Sequence, residues 1–144
     1  MGARPRARGV RLFPLVDIRE ARSRLLAAET GAPLPFVPRR WFVVMDVPST
    51  DIRGEHAHRK LEQMLICIKG EVCVMVDDGR RRRQLRLDDP GKGLYIPPMV
   101  WAAQYNYSAD AVLLVLASAA YDARDYIRDY EEFLGLLARR RRRR

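Results

Sequence analysis

Arg53-Gly54-Glu55-His56-Ala57-His58, running on into Arg59-Lys60-Leu61-Glu62-Gln63, holds both histidines of the 144-residue chain. One residue separates them. Successive side chains of a strand project to opposite faces, so in an extended segment the two imidazoles point the same way. The flanking sequence is also written in strands. Short apolar runs at 41–47, 63–68, 71–76, 84–87, 93–96, 103–107 and 111–117 are divided by turn-forming segments at 48–54, 69–70, 77–79, 88–91 and 108–110. Gly, Pro, Asn and Asp punctuate chains for steric and hydrogen-bonding reasons, and many short strands at this spacing predict a sandwich or barrel.

The ends differ from this middle. Residues 1–9 are rich in Arg, Gly and Pro with nothing to bury, which predicts a disordered leader. A strand is expected at 10–16. Residues 18–30 have helix-forming composition with Gly31 as the stop, so a short N-terminal helix is expected there. Pro33, Pro35 and Pro38 then enforce extended chain. After Ser118 the period changes: Tyr126, Ile127, Tyr130, Phe133, Leu134 and Leu137 recur at three- and four-residue steps, predicting a C-terminal helix whose apolar stripe packs on the barrel or on a dimer partner. The expected organisation is one domain over 10–138 and an arginine tail over 139–144.

Hydrophobic residues make up 48% and charged residues 31%, the balance of a folded globular chain rather than a disordered one. The net charge of +9 is concentrated at the ends, in Arg139 to Arg144 and in Arg4, Arg6 and Arg8, leaving the body near neutral. Neither nucleic acid nor membrane is expected as a partner. Arg80 to Arg83 follow the turn signal Asp77-Asp78-Gly79 and read as an exposed hairpin tip. The two cysteines, Cys67 and Cys73, lie in apolar runs and give no disulfide framework or zinc spacing. With no signal-like leader and no apolar stretch able to span a bilayer, a cytoplasmic location is expected.

Paired imidazoles inside a barrel suit proton transfer, because imidazole titrates nearest neutral pH and serves as acid or base. No serine sits in a Gly-x-Ser-x-Gly elbow, and the cysteines lack an exposed context for nucleophilic attack. His-x-His followed by Glu62 approximates the first motif of the cupins, in which such residues bind metal. The second motif would supply another histidine, but Gly93-Leu94-Tyr95-Ile96-Pro97-Pro98-Met99-Val100-Trp101-Ala102-Ala103 contains none. The expectation is therefore a site without metal or other cofactor, with a His56, His58 and Glu62 triad as the alternative.

Several motifs in order resemble the WxcM-like cupin group of dTDP-sugar 3,4-ketoisomerases. These are Pro35-Phe36 with Arg39-Arg40, the stretch from Arg53 to Gln63, Asp77-Asp78-Gly79, Gly93-Leu94-Tyr95-Ile96 to Trp101, Leu116-Ala117-Ser118 to Tyr121-Asp122, and Asp125-Tyr126-Ile127-Arg128-Asp129-Tyr130-Glu131-Glu132-Phe133. The resemblance implies a mainly β fold, a cupin (RmlC-like) double-stranded β-helix barrel, assembled as a homodimer with exchanged strands. It implies an isomerase that moves the keto group of a dTDP-4-keto-6-deoxyhexose from carbon 4 to carbon 3 through an enediolate, in deoxy-amino-sugar biosynthesis.

On that basis His58 is expected as the carbon acid–base, His56 as its partner for the hydroxyl proton and Arg53 as the oxyanion stabiliser. Arg40 and Trp101 are candidates for the diphosphate and thymine, with Tyr95, Tyr105 and Gln63 as further substrate contacts. Two departures from the family pattern stand out. Trp41-Phe42-Val43-Val44 offers no tyrosine, and Ala102 stands where a histidine is common. The competing functions are an epimerase or other activity on a similar nucleotide sugar, a noncatalytic sugar-nucleotide-binding cupin, and a metal-dependent dioxygenase-like cupin.

Overall fold

The computed structural model describes residues 9–31 and 33–144. Nearly all of the expected leader lies outside them. Along the chain come β1 (Arg11–Pro14), β2 (Val16–Glu20), β3 (Ser23–Ala27), β4 (Glu29–Thr30), β5 (Pro33–Leu34), β6 (Arg40–Met45), β7 (Arg53–His58), β8 (Gln63–Lys69), β9 (Val72–Asp77), β10 (Arg82–Leu87), β11 (Lys92–Ile96), β12 (Trp101–Tyr105) and β13 (Val112–Ala117). A 3₁₀ turn at Ala123–Asp125 leads into β14 (Tyr126–Ile127) and the helix α1 (Tyr130–Arg142). Two five-stranded sheets, ordered β1-β11-β8-β13-β6 and β10-β9-β12-β7-β14, enclose the core. Every pairing within them is antiparallel.

Residues paired across neighbouring strands share a face, so the ladders identify the inside of the barrel. In the first sheet the rows are Ile96–Gln63–Ala117–Arg40 and Leu94–Leu65–Val115–Phe42. In the second they are Ala102 against Val76 and His56, and Gln104 against Val74 and Arg53. Leu65, Cys67, Val74, Val76, Leu94, Ile96, Ala102, Leu113 and Val115 pack into one buried cluster between the sheets. Two smaller clusters cover the outer faces. Leu34, Phe36, Met64, Ile66 and Tyr95 sit on the first sheet, and Ala57, Trp101, Ile127 and Phe133 lie between the second sheet and α1.

Two expected helical stretches fold differently. Residues 18–30 are not a helix: β2 and β3 form an antiparallel hairpin, followed by β4 paired parallel to β5. Its composition favours helix, but Val16-Asp17-Ile18-Arg19 alternates apolar with polar residues. Arg24 then clamps the hairpin by reaching Asp17 at 2.8 Å and Asp89 at 3.0 Å, and such tertiary pairing outweighs a propensity of a few tenths of a kcal/mol per residue. At the other end the helix starts at Tyr130, with the Asp129 carboxylate accepting the Glu132 amide as its N-cap. Tyr126 and Ile127, expected on the helical stripe, instead pair with His58 and Ala57 of β7. α1 runs on to Arg142, so the arginine run begins as helix rather than as a separate tail. Among the described residues no helix is long and apolar enough to cross a membrane.

Candidate active site

β7 carries the two histidines at the barrel mouth, and a bulge sets which neighbours they have. Between the pairs His56–Ala102 and Arg53–Gln104, β7 advances three residues while β12 advances two. The extra residue restores Arg53 to the inward face that it would otherwise miss. Gly54, at φ +70°, makes the bend, and any Cβ there would strike the Gln104 carboxamide. At its far end β7 is held by the Met99 amide, which donates to the His58 carbonyl at 2.7 Å from a residue itself at φ +61°.

His58 is buried, with 5% of its surface accessible, and its Nδ1 lies 3.0 Å from Asp125 Oδ2. That carboxylate also accepts the backbone amides of Lys60 at 2.8 Å and Leu61 at 3.2 Å, while the Asp125 carbonyl accepts the Arg59 amide at 2.9 Å. The 59–61 turn thus grips Asp125 in place. A carboxylate can only accept, so His58 must donate through Nδ1–H and carry its lone pair on Nε2. The Nε2 atoms of His56 and His58 are 3.1 Å apart, and the rings meet edge to face at 4.8 Å. With His58 fixed as acceptor there, His56 donates through its Nε2–H.

Both imidazoles are held neutral near pH 7. Burial pushes His56 down to about 4, helped by His58 and by the Arg128 guanidinium. Burial also lowers His58, against the opposing pull of the Asp125 carboxylate, with Arg40 and Arg128 adding to the lowering. An uncharged imidazole with a carboxylate behind it is a competent base: its lone pair is free, and the imidazolium formed by taking a proton has a counter-ion waiting.

A cavity of about 140 Å³ opens beside His58, lined among others by Arg40, Lys60, Tyr121, Asp125 and Tyr126. Tyr126 faces inward opposite His58, its ring centre 4.5 Å from that of His58 and 4.8 Å from that of His56. Arg128 lies over this ring, with its guanidinium carbon 4.4 Å from the centroid. Arg40 lies over Phe42 at 4.8 Å and over the exposed ring of Tyr121 at 5.3 Å.

Of the residues expected from sequence, the fold gathers His56, His58 and Arg40 at this mouth. It sets Gln63 on the same inward row as Arg40, with Ala117 between them, and Arg53 farther along β7 on the histidines' face. Three others stand apart from the mouth. Tyr95 faces outward from β11, packs against Phe13 and Phe36, and donates its hydroxyl to Glu62 at 2.6 Å. Trp101 and Tyr105 occupy the odd, outward positions of β12, and Trp101 packs against Tyr130 and Phe133 beneath α1 with 8% of its surface accessible. None of these three rings reaches the histidines, because strand alternation turns them to the opposite face. Glu62, the carboxylate of the alternative triad, is engaged with Tyr95. Among the described residues no group of three His, Cys, Asp or Glu side chains is placed to hold a metal ion.

Asp125, Tyr126, Tyr121 and Arg128 are site residues that sequence reasoning did not assign. The motif from Asp125 to Phe133 contained the signal, but a helical period for Tyr126 and Ile127 pointed them at packing. Tyr121 and Tyr126 bring two phenols to the cavity from the C-terminal segment.

Comparison with known proteins agrees with this geometry. Residues 8–138 match the FdtA family, described as WxcM-like, C-terminal. The chain belongs to this family. It is 41% identical over 120 residues to a TDP-4-oxo-6-deoxy-alpha-D-glucose-3,4-oxoisomerase of Aneurinibacillus thermoaerophilus, covering 83% of this chain and 86% of the relative. Among solved structures, the 3,4-ketoisomerase QdtA of Thermoanaerobacterium thermosaccharolyticum superposes with a TM-score of 0.89 at 34% identity, covering 92% of this chain and 96% of that one. That structure is a histidine-to-asparagine variant in complex with TDP-4-keto-6-deoxyglucose. The WlaRB TDP-quinovose 3,4-ketoisomerase of Campylobacter jejuni gives a TM-score of 0.85 at 39% identity, covering 89% and 98% of the two chains. The barrel is therefore that of the cupin-like ketoisomerases.

Proposed function

We propose that this WxcM-like protein is a 3,4-ketoisomerase that converts a TDP-4-keto-6-deoxyhexose into its 3-keto isomer. The observation that carries the mechanism is the Asp125–His58–His56 chain, in which one imidazole is fixed in the tautomer of a base and the next in that of a donor. The carbonyl at carbon 4 acidifies the hydrogen on carbon 3. His58 Nε2 removes that proton and becomes an imidazolium paired with Asp125. His56, released from its contact with His58, gives its Nε2 proton to the oxygen on carbon 4 and takes the hydroxyl proton from the oxygen on carbon 3. His58 then returns its proton to carbon 4, leaving the ketone at carbon 3 and both histidines as they began.

Negative charge develops on the two oxygens along this path, and cations aimed at it lower the barrier. Arg53, on the histidines' face of β7, is our candidate for that role. Arg40 at the cavity wall suits the diphosphate, and Gln63, on the same inward row beyond Ala117, a sugar hydroxyl. Trp101 is committed to packing under α1, so the exposed ring of Tyr121 is the flat surface available to thymine. No cofactor is invoked in any step.

We further assign the protein to the cytoplasm, where sugar nucleotides are made, and to a homodimer that exchanges strands. Supporting the dimer are Trp41, at 69% exposure on the edge strand β6, and Met45 on the same outer face, with Ile18 and Leu25 exposed on the hairpin. β1, at the opposite edge of that sheet, is the segment an exchange would donate.

Incubation with TDP-4-keto-6-deoxyglucose in heavy water, followed by NMR of the sugar, tests the reaction. The expected result is movement of the carbonyl from carbon 4 to carbon 3. A carbonyl that stays on carbon 4 while deuterium enters a neighbouring carbon would identify an epimerase. A sugar that takes up no deuterium and keeps its carbonyl would leave only binding. Light scattering of the purified chain tests the dimer, which a monomeric mass would refute.

A further inference from the structure

The two arginine runs, far apart in sequence, meet in the fold. Arg80 and Arg81 are in the turn between β9 and β10, and Arg82 and Arg83 open β10. The turn abuts the last turns of α1: a Cβ on Gly79 would run into Leu137 Cδ1 and lie 3.5 Å from Arg141 Nη2. The Asp78 carboxylate, held low first by the Arg81 and Arg80 amides, also feels Arg141. Arg82 is spoken for by Asp77 at 3.0 Å. Among the described residues no salt bridge engages Arg80, Arg81, Arg83 or Arg139 to Arg144. Arg80 and Arg81 in the turn thus share this end of the fold with the arginines that close α1, beside the Asp78 carboxylate, whereas Arg83, paired with Val76, faces the inner side of its sheet.

Consecutive helical residues step by about 100°, so Arg139 to Arg142 cover every side of the final turns. That end of α1 has no apolar face to embed in a bilayer, and no exposed large hydrophobic residue lies on the turn or on the helix. Nor is an aromatic ring free to stack on unpaired bases. Tyr130 is bonded to Asp77, and Phe133 is buried. What remains is a concentrated array of forked, permanently charged donors, the chemistry that pairs with phosphodiesters. We propose that these two runs form one surface that docks on the phosphate backbone of duplex nucleic acid without reading its bases.

The test is fluorescence anisotropy of the full chain against two labelled 20-base-pair DNA duplexes of unrelated sequence, between 50 and 200 mM NaCl. If about five phosphates are neutralised, affinity falls about 500-fold over that range, equally for both duplexes. Replacing Arg80 and Arg81 with Gln should reduce the slope of log K against log salt by about two, and replacing Arg139 to Arg144 with Gln should remove most of the rest. The same positions changed to Lys should keep the salt slope, and turnover of the sugar nucleotide should be unchanged in all variants, which establishes that they fold. No binding at 50 mM, a preference for one duplex, or a turn variant that binds like the parent would overturn the proposal. So would binding to phosphatidylserine vesicles with none to DNA.

Discussion

Replacing Asp125 with Asn removes one charge at the point where the mechanism needs it. The carboxylate accepts His58 Nδ1–H and two backbone amides, so its loss acts on the base and on the 59–61 turn together. If the Asn oxygen faces His58, the tautomer survives and the loss is that of a charge-assisted hydrogen bond against a neutral one, about 1–1.5 kcal/mol. The imidazolium forms only after proton transfer, so this difference falls on the transition state and lowers kcat about 5- to 13-fold, with KM little changed. If the amide nitrogen faces His58 instead, the ring must present its lone pair at Nδ1, the base is lost from Nε2, and the decrease is larger. The pH profile supplies the sign. Asp125 raises the His58 pKa against burial, so Asp125→Asn must move the acid limb of kcat/KM to lower pH while lowering the plateau. The assay is NMR-monitored isomerisation at several pH values, with TDP binding by calorimetry as the control. A variant that keeps its rate within threefold, or whose acid limb moves upward, would refute the assignment of His58 as the base backed by Asp125.

Three other outcomes follow from the same geometry. Because His56 is held at about 4 in the folded protein and titrates near 6.5 when unfolded, the unfolded chain binds more protons between those values. Thermal stability should therefore fall as pH is lowered from about 6.5 to 4, less steeply in His56→Gln, and an identical slope in the two proteins would contradict the burial argument. Trp101→Ala should cost about 3–5 kcal/mol in denaturant unfolding by emptying the space under α1, whereas Trp101→Phe should leave the affinity for TDP unchanged; a weakened TDP affinity in a stable Phe variant would return Trp101 to the nucleotide site. Gly54→Ala should lower Tm and turnover together, because a residue with a Cβ is strained at φ +70° and the bulge aims Arg53; unchanged turnover would remove Arg53 from the mechanism.

The strands of the barrel were legible because their apolar runs and turn residues are local signals. The expected run at 63–68 emerges as Gln63–Lys69 and that at 111–117 as Val112–Ala117. The pairing of His56 with His58 on one face was legible for the same reason: a two-residue period needs no knowledge of the rest of the chain. Facing was harder to read. Tyr95 and Tyr105 fall in expected strands and Trp101 just ahead of the second, but whether an odd or an even position looks inward depends on register with strands far away in sequence. The hairpin at β2 and β3 was hidden because helix-favouring residues occupy a segment whose structure is fixed by the Arg24 bridges to Asp17 and Asp89. The bulge at Gly54 was hidden too, since a lone glycine before a strand reads equally well as a turn.

Completing the barrel and completing the site are the same event in this chain. β14 is only two residues long, and a strand that short contributes little pairing of its own. Yet it is the fifth strand of the second sheet, and its Tyr126 is set against His58 by the pairing that also buries Ile127 under α1. Just before it, Asp125 is bound to three consecutive amides of the turn that follows the histidines. Ser118, accepting the Glu62 amide at 2.9 Å and donating its own to the Glu62 carbonyl at 3.0 Å, anchors the start of the same C-terminal segment. A chain that lost this segment could keep both histidines on β7, but nothing would fix the tautomer of His58 or shield the pair from water. The imidazoles would drift toward the ordinary titration of exposed histidine, and the base would lose its counter-ion. The two histidines alone specify a possible chemistry; the segment from Ser118 to Phe133 turns it into an ordered acid–base pair.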